Sequence, residues 1–272
     1  MTATTEIGRS ASPRTSRLVY GAVSLGSLVV LWILLTDVLG VVAPQLLPSP
    51  LSVVERFATL LVDPFAGSTL LGHTLSSLER WGLGVLFAVV LGVPFGVLLA
   101  WIPPLRAALT PAFELLRFIP PFAWVPIAVL WMGASTESQA FVVFVAAFPP
   151  IVINAQLGVA SVDPVLINAT RTLGAGPLRT LARVILPVSA PAIFTGVRIA
   201  VSNGWMALVG AELIVGKAGL GFLIAQGQFN GSVSTIFVGI IAIGLIGALI
   251  DALIGVALRY ALPWRSGESS RK

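Results

Sequence analysis

The sequence predicts an all-α, polytopic membrane protein with six transmembrane helices. Three observations predict it. The 272 residues are 57% hydrophobic and only 10% charged, whereas soluble domains carry about 25% charged residues. Mean hydropathy is +0.99. Continuous apolar runs at roughly 18–40, 78–101, 110–132, 139–159, 190–215 and 234–261 each reach the ~20 helical residues that cross a hydrocarbon core of about 30 Å. Strands of a membrane barrel would be about 10 residues long with alternating polarity; these runs are longer and continuous.

Residues 1–17 are polar and rich in Ser, Thr and Arg, and they read as a disordered leader. The apolar run after them exceeds a signal-peptide core of roughly 7–15 residues, and no small-residue cleavage site stands out, so the first span is read as uncleaved. The next stretch carries Pro44, Pro48, Pro50 and Pro64. Within it Val53, Val54, Phe57, Leu60 and Leu61 recur at helical spacing, which predicts a short amphipathic helix on the outer surface. His73 is the one histidine. Asp63 and Glu79 are poorly placed to join it around a metal, so it reads as an interfacial hydrogen-bonding residue.

Pro120, Pro121 and Pro126, then Pro149 and Pro150, are expected to interrupt the third and fourth spans. Broken membrane helices are tolerated where they are buried or line a cavity, and they mark solute sites in transporters. These breaks and Asn154 are therefore expected to face a pathway. Of the seven tryptophans, Trp131 and Trp264 fall near span ends, where interfaces favour them. Trp124 and Trp205 lie deep enough for a role in the pathway or in packing. Glu114 and Arg117 have the spacing of a local ion pair.

Carboxylates inside a span cost roughly 2.5–3.5 kcal/mol on insertion scales and need a reason. Glu212 shares a helical face with Trp205, Leu208 and Val209. It reads either as part of an outer gate or as a carboxylate near the helix end, hydrated or paired with Lys217. Asp251 reads as a hydrogen-bond partner between helices. The glycine-rich stretch from Gly216 to Gly231 reads as a half-inserted outer loop, and 263–272 as a polar tail.

Positive charge sets the orientation. With the N-terminus inside, Arg9, Arg14, Arg17, Arg106, Arg171, Arg179, Arg183, Arg265, Arg271 and Lys272 fall inside, and Arg56, Lys217 and Arg80 fall outside. Cytoplasmic loops carry the excess of Lys and Arg, so both termini are expected in the cytoplasm. The loop between the fourth and fifth spans, 163–187, punctuates itself into two helices. Asp163-Pro164 is an N-cap followed by proline at the first helical position. Leu166, Ala169, Thr170 and Leu173 share one face. Gly174 is placed to end the helix with a positive φ. Pro177 can open a second helix, with Leu178, Leu181, Val184 and Ile185 on its apolar face and Arg179 and Arg183 on its polar face. Pro187 disfavours helix at Leu186. Spacing alone leaves two readings of this elbow: arginines meeting anionic headgroups, or a surface on which a protein docks.

The segment Asn168-Ala169-Thr170, three residues, Gly174, nine residues, then Val184-Ile185-Leu186-Pro187 resembles the cytoplasmic loop of ATP-binding-cassette importer permeases. That loop reads Glu-Ala-Ala, three residues, Gly, nine residues, Ile-x-Leu-Pro. Asn168 stands for the Glu and Thr170 for the second Ala. Further motifs resemble the nitrate, sulfonate and taurine branch from about residue 45 onward: Leu47-Pro48-Ser49-Pro50, His73-Thr74-Leu75 with Arg80, Arg117-Phe118-Ile119-Pro120-Pro121 with Pro126, Ser161-Val162-Asp163-Pro164, Ala211-Glu212 and Gly219-Leu220-Gly221.

The resemblance implies a type I importer permease bundle over 18–262 in a bacterial inner membrane. It implies a second permease subunit, expected as a homodimer, two cytoplasmic ATP-binding subunits and an extracytoplasmic solute-binding protein. The elbow residues Asn168, Ala169, Thr170, Arg171, Gly174, Arg179, Arg183, Leu186 and Pro187 would meet the ATPase. Pro120, Pro121, Trp124, Asn154, Trp205 and Glu212 would border the pathway. The solute would be a small oxyanion or organosulfur compound such as nitrate, an alkyl sulfonate or taurine.

The permease would hold no cofactor, with ATP used by the partner; the chain has no Gly-x-x-x-x-Gly-Lys-Ser/Thr loop. The alternative is a secondary transporter or channel that needs no ATPase, but such transporters carry more spans, inverted repeats and coupled charges. An enzyme has little support, since cysteine, His-Glu-x-x-His and Gly-x-Ser-x-Gly are all absent. The net charge of +5 is spread over short loops beside apolar spans, which does not suit nucleic acid.

Overall fold

The structure, a computed structural model, describes residues 13–261. The expected tail at 263–272 and residues 1–12 of the expected leader lie outside these residues. The chain folds as α1 (Pro13–Ile33), α2 (Pro50–Val62), α3 (Leu70–Trp101), α4 (Pro103–Leu116), α5 (Val125–Met132), α6 (Thr136–Ala160), α7 (Pro164–Thr172), α8 (Pro177–Thr180), α9 (Leu186–Val215), α10 (Leu220–Phe229) and α11 (Val233–Ala261). Five helices are long and apolar enough to cross a membrane, or six if the bent pair of α4 and α5 counts as one span.

Helices α3, α6 and α9 form the centre. Glycines let their backbones approach: a Cβ at Gly84 would stand 2.5 Å from Ala140 O, and one at Gly96 2.6 Å from Val152 O. Small residues at such crossings are how membrane helices gain van der Waals contact without a hydrophobic driving force. Helix α1 continues through a π turn, Leu34–Val38, and buries none of its apolar window within the chain. Trp32 anchors it, donating Nε1–H to Pro48 O at 2.9 Å and lying 5.6 Å from the Phe237 ring. Helix α2 is the expected amphipathic helix. Ser49 caps it, accepting from Ser52 N. Val53 and Leu60 are buried while Val54 and Leu61 are exposed, so its packed face is narrower than the spacing suggested. Arg56 ties it to α11 through Thr235 Oγ1 at 2.8 Å.

Three expectations need correction. First, α3 starts at Leu70, about two turns before the expected 78. Thr69 caps it; of its polar residues His73 and Ser77 are buried with partners, and Thr74 and Ser76 bond back to their own helix. Second, Pro149 and Pro150 do not interrupt the fourth span; α6 runs through both. The helix is clamped between α3 and α9, and neighbouring helices let a proline sit inside a membrane helix. Third, Pro187 does not end the elbow. A π turn, Leu181–Ile185, joins α8 to α9, with Leu186 N donating to Leu181 O. Pro187 then falls in the first turn of α9, where the missing N–H is tolerated.

The third span does break. Helix α4 ends at Leu116, a 3-10 turn covers Pro121–Trp124, and the two halves meet at 91°. Residues before proline are pushed out of the helical region, and Ile119-Pro120-Pro121 applies that restriction twice in succession. Phe122 closes the break against α9, where a Cβ at Gly210 would collide with its ring.

Candidate functional site

The elbow has the two helices its punctuation predicted. Asp163 Oδ1 accepts from Val165 N at 2.8 Å. Gly174 has φ +79°, Ala175 N donates to Thr170 O at 3.0 Å and Gly174 N to Arg171 O at 2.9 Å. Together these form a Schellman stop. Thr170 Oγ1 donates to Ile167 O at 2.7 Å, so the 3.1 Å contact between Thr170 and Thr180 has Thr180 as donor. This bond pins α7 to α8, which gives the threonine at 170 a physical role. Ile185 is buried at the base. Asn168, Ala169, Arg171, Arg179, Arg183 and Pro187 are exposed and Leu186 is half-buried. Leu173 and Leu178 are 86% and 79% exposed, so the elbow presents leucine and arginine together.

A second cluster lies between α3, α9 and α10, and sequence reasoning did not assemble it. Three side chains accept from the first N–H groups of α10. His73 Nδ1 accepts from Gly219 N at 3.1 Å, Ser77 Oγ from Leu220 N at 2.9 Å, and Glu212 Oε2 from Gly221 N at 2.9 Å. His73 Nε2–H donates to Phe65 O at 2.9 Å. Ser77 Oγ–H donates to the Glu212 carboxylate at 2.9 Å. Arg80 Nη1 reaches Glu212 Oε1 at 3.0 Å and Ala218 O at 2.6 Å. The carboxylate thus sits at the positive end of α10 with a buried cation beside it. Glu212 is fully buried and Arg80 is 8% exposed.

This corrects three expectations. Glu212 pairs with Arg80, not Lys217, which is exposed on the turn. Arg80 is a buried residue of α3, not a loop charge. The stretch read as a loop is largely a helix, α10. His73 hydrogen-bonds as expected, from a buried position. The missed signal was His73, Ser77 and Arg80 at i, i+4, i+7, on one helical face.

The other expected pathway residues are scattered. Asn154 lies between α6 and α9, where a Cβ at Gly196 would stand 2.6 Å from its own Cβ, and its Nδ2 donates to Pro150 O at 2.8 Å. Trp205 is buried, donating to Ile243 O at 3.2 Å and meeting Trp81 edge-on. Asp251 does pair between helices, with Arg198 of α9 in a two-point contact of 2.8 and 2.9 Å.

Pro120, Pro121 and Trp124 flank the broken span. Helix α4 there carries Arg106, Thr110 and Glu114 on one face, and Arg117, at its C-cap, meets Glu114 through Nε at 2.6 Å. Arg106 and Thr110 line an open cavity of about 460 Å³. Thr110 Oγ1 and Trp124 Nε1 are buried without hydrogen-bond partners, each a cost of about 1–3 kcal/mol if left unmade. No group of three metal-ligating side chains occurs among the described residues.

Residues 92–264 match the family described as binding-protein-dependent transport system inner membrane component. The chain is 39% identical over 234 residues to a probable ABC transporter permease protein of Brucella abortus (strain 2308), covering 86% of this chain and 90% of that one. It is 36% identical over 247 residues to the taurine transport system permease protein of Escherichia coli (strain K12), covering 89% of each. It is 35% identical over 219 residues to the nitrate import permease protein of Leptolyngbya laminosa, covering 79% of this chain and 78% of that one. The fold is similar to a chain of the MetNI methionine ABC transporter in an inward-facing conformation. The TM-score is 0.63 at 20% identity, covering 76% of this chain and 98% of that one.

Proposed function

This chain belongs to the family of binding-protein-dependent transport system inner membrane components and is the permease subunit of an ABC importer, and on that premise we propose how it works. Two copies enclose the pathway. Each elbow sits in a groove of a cytoplasmic ATP-binding subunit, which binds and hydrolyses the ATP. A solute-binding protein delivers solute at the opposite face, where α10 lies. Both termini are cytoplasmic, in keeping with the arginines of the elbow. The solute is a small anion-headed compound of the taurine or nitrate kind, in keeping with the relatives of those names.

The observation that carries this reading is the elbow. A Schellman stop and a threonine pair hold its two helices at a fixed angle, while Leu173 and Leu178 stay exposed. The π turn joins it without a gap to α9, so a push on the elbow is a push on a helix that crosses the bundle. Alternating access by rigid-body rocking needs such a lever.

Helix α4 supports the second copy. Its polar face and the irregular backbone after Leu116 are open in a single chain. In lipid, such groups must be covered by protein or face water.

The test is uptake into vesicles holding the permease with its ATP-binding subunits and binding protein, with labelled taurine and nitrate as first probes. Uptake should stop without ATP and survive collapse of the proton gradient. Uptake that follows the proton gradient instead would favour a secondary transporter.

A further inference from the structure

We propose that the exposed side of α9 is a water-lined wall of the pathway, and that Asp251 of α11 holds and neutralises Arg198 there, setting the charge a passing solute meets. This rests on the importer reading above and deepens it.

The outward sides of the spanning helices differ in kind. From 83 to 98 on α3 and from 240 to 257 on α11, every exposed residue is apolar, Val90 and Leu249 among them. Such surfaces suit hydrocarbon. On the open side of α9, Thr195, Arg198 and Asn203 are exposed and Ser202 is half-buried, all near the middle of that helix. Polar and ionisable groups at such depth face protein or a water-filled cavity, not lipid. Ser202, Met206 and Gly210 follow one another along this side at one-turn spacing, and Phe122 of the broken span packs at Gly210. The polar side of α9 is therefore continuous with the break, where irregular backbone also needs water or protein.

Arg198 carries the charge on this wall. Its Nε and Nη2 donate to the two oxygens of Asp251 at 2.9 and 2.8 Å, and 50% and 43% of the two side chains stay open. Two residues turn a helix by about 200°, so Asp251 points away from the apolar side marked by Leu249 and Leu253. The pair is thus neither sealed in the core nor set on the lipid side. A two-point carboxylate fixes the plane of the guanidinium and cancels its charge. A charged solute is then neither held nor repelled by a net charge at this level. Asp251 acts through Arg198, as a positioning residue.

The experiment uses the full chain, purified with its ATP-binding subunits into nanodiscs so that reagents reach both faces. The native chain has no cysteine, so single replacements are read without background. Thr195→Cys and Asn203→Cys should react with an anionic and with a cationic methanethiosulfonate reagent, in at least one nucleotide state. Val90→Cys and Leu249→Cys should react with neither. Thr195 lies one turn from Arg198. Adding Asp251→Asn to Thr195→Cys should raise the anionic-to-cationic rate ratio about fivefold, and Arg198→Gln should lower it by a similar factor, the size of one unit charge at such range in water. With both charges removed, the ratio should return to near its starting value.

No reaction at Thr195→Cys and Asn203→Cys in any nucleotide state would make this side of α9 a dry contact, with lipid or with a second copy, and overturn the proposal. So would a rate ratio indifferent to both charge changes. If one charge variant fails to fold, the other reads the charge, and the contrast in accessibility needs neither. The readout involves no solute and no transport, so its failure is distinct from failure of the importer reading, which ATP-dependent uptake tests.

Discussion

Glu212→Ala is expected to destabilise the protein by about 3–5 kcal/mol, the usual cost of removing one partner from a buried ion pair. The loss is large because the carboxylate serves several groups at once. It accepts from Ser77, Arg80 and Gly221 N. Without it Arg80 stays buried with Ala218 O and an unpartnered Nε. The first turn of α10 also loses one of its three caps. The loosening should be local before it is global: amide exchange should speed up in α10 ahead of α3 and α6. Thermal unfolding of the purified protein, with exchange read by mass spectrometry, measures both effects. A midpoint unchanged from the native chain would show that this cluster is not what holds α10. Replacing the pair together, Arg80→Met with Glu212→Leu, should recover part of the loss, because apolar groups of similar size need no partners.

Gly174→Val should abolish most ATP-driven uptake while leaving the amount of protein in the membrane unchanged. The φ of +79° at Gly174 costs an ordinary L-residue about 1–2 kcal/mol, and a β-branched side chain tolerates it least. No atom lies within 4 Å of a Cβ built there, so the damage is conformational and not a clash. The chain would leave α7 in another direction, and Leu173 and Leu178 would no longer be presented together. A fall of about tenfold or more in uptake is expected, given that each 1.36 kcal/mol is worth tenfold in a rate. Gly174→Asn is the control. Asparagine visits the left-handed region and should keep most of the activity. Equal losses in both variants would point to the glycine's size and not its conformation.

The elbow was legible because its signals are local. Asp163-Pro164, Gly174 and Pro177 each act within a few residues, and each ends or starts a helix where the sequence placed it. The amphipathic α2 was legible for the same reason. The buried cluster was not, because its partners are far apart in the chain: Arg80 and Glu212 are separated by 132 residues. Lys217 was the nearest cation in sequence to Glu212, but the turn that brings Gly219 to Gly221 onto the carboxylate turns Lys217 outward.

Prolines were legible only in part. Pro120-Pro121 breaks its span because little packs around it, whereas Pro149-Pro150 sits in a helix that α3 and α9 hold on both sides. Local restriction decides where tertiary packing is weak and is overridden where it is strong. Asn154 was read toward a pathway from the prolines beside it and Trp205 from its depth; each makes a backbone hydrogen bond inside the bundle.

The claim on which the rest depends is that the elbow is held by an ATP-binding subunit. The native chain has no cysteine, so a single Leu173→Cys replacement reports on that contact without background. In membranes containing the co-expressed ATP-binding subunit, a short bifunctional thiol reagent should join this position to single cysteines placed around that subunit's surface groove. The yield should change when ATP is bound. The same position should be freely labelled by a water-soluble thiol reagent when the permease is alone. Labelling that is identical with and without the subunit, and no cross-linked product in either nucleotide state, would contradict the account.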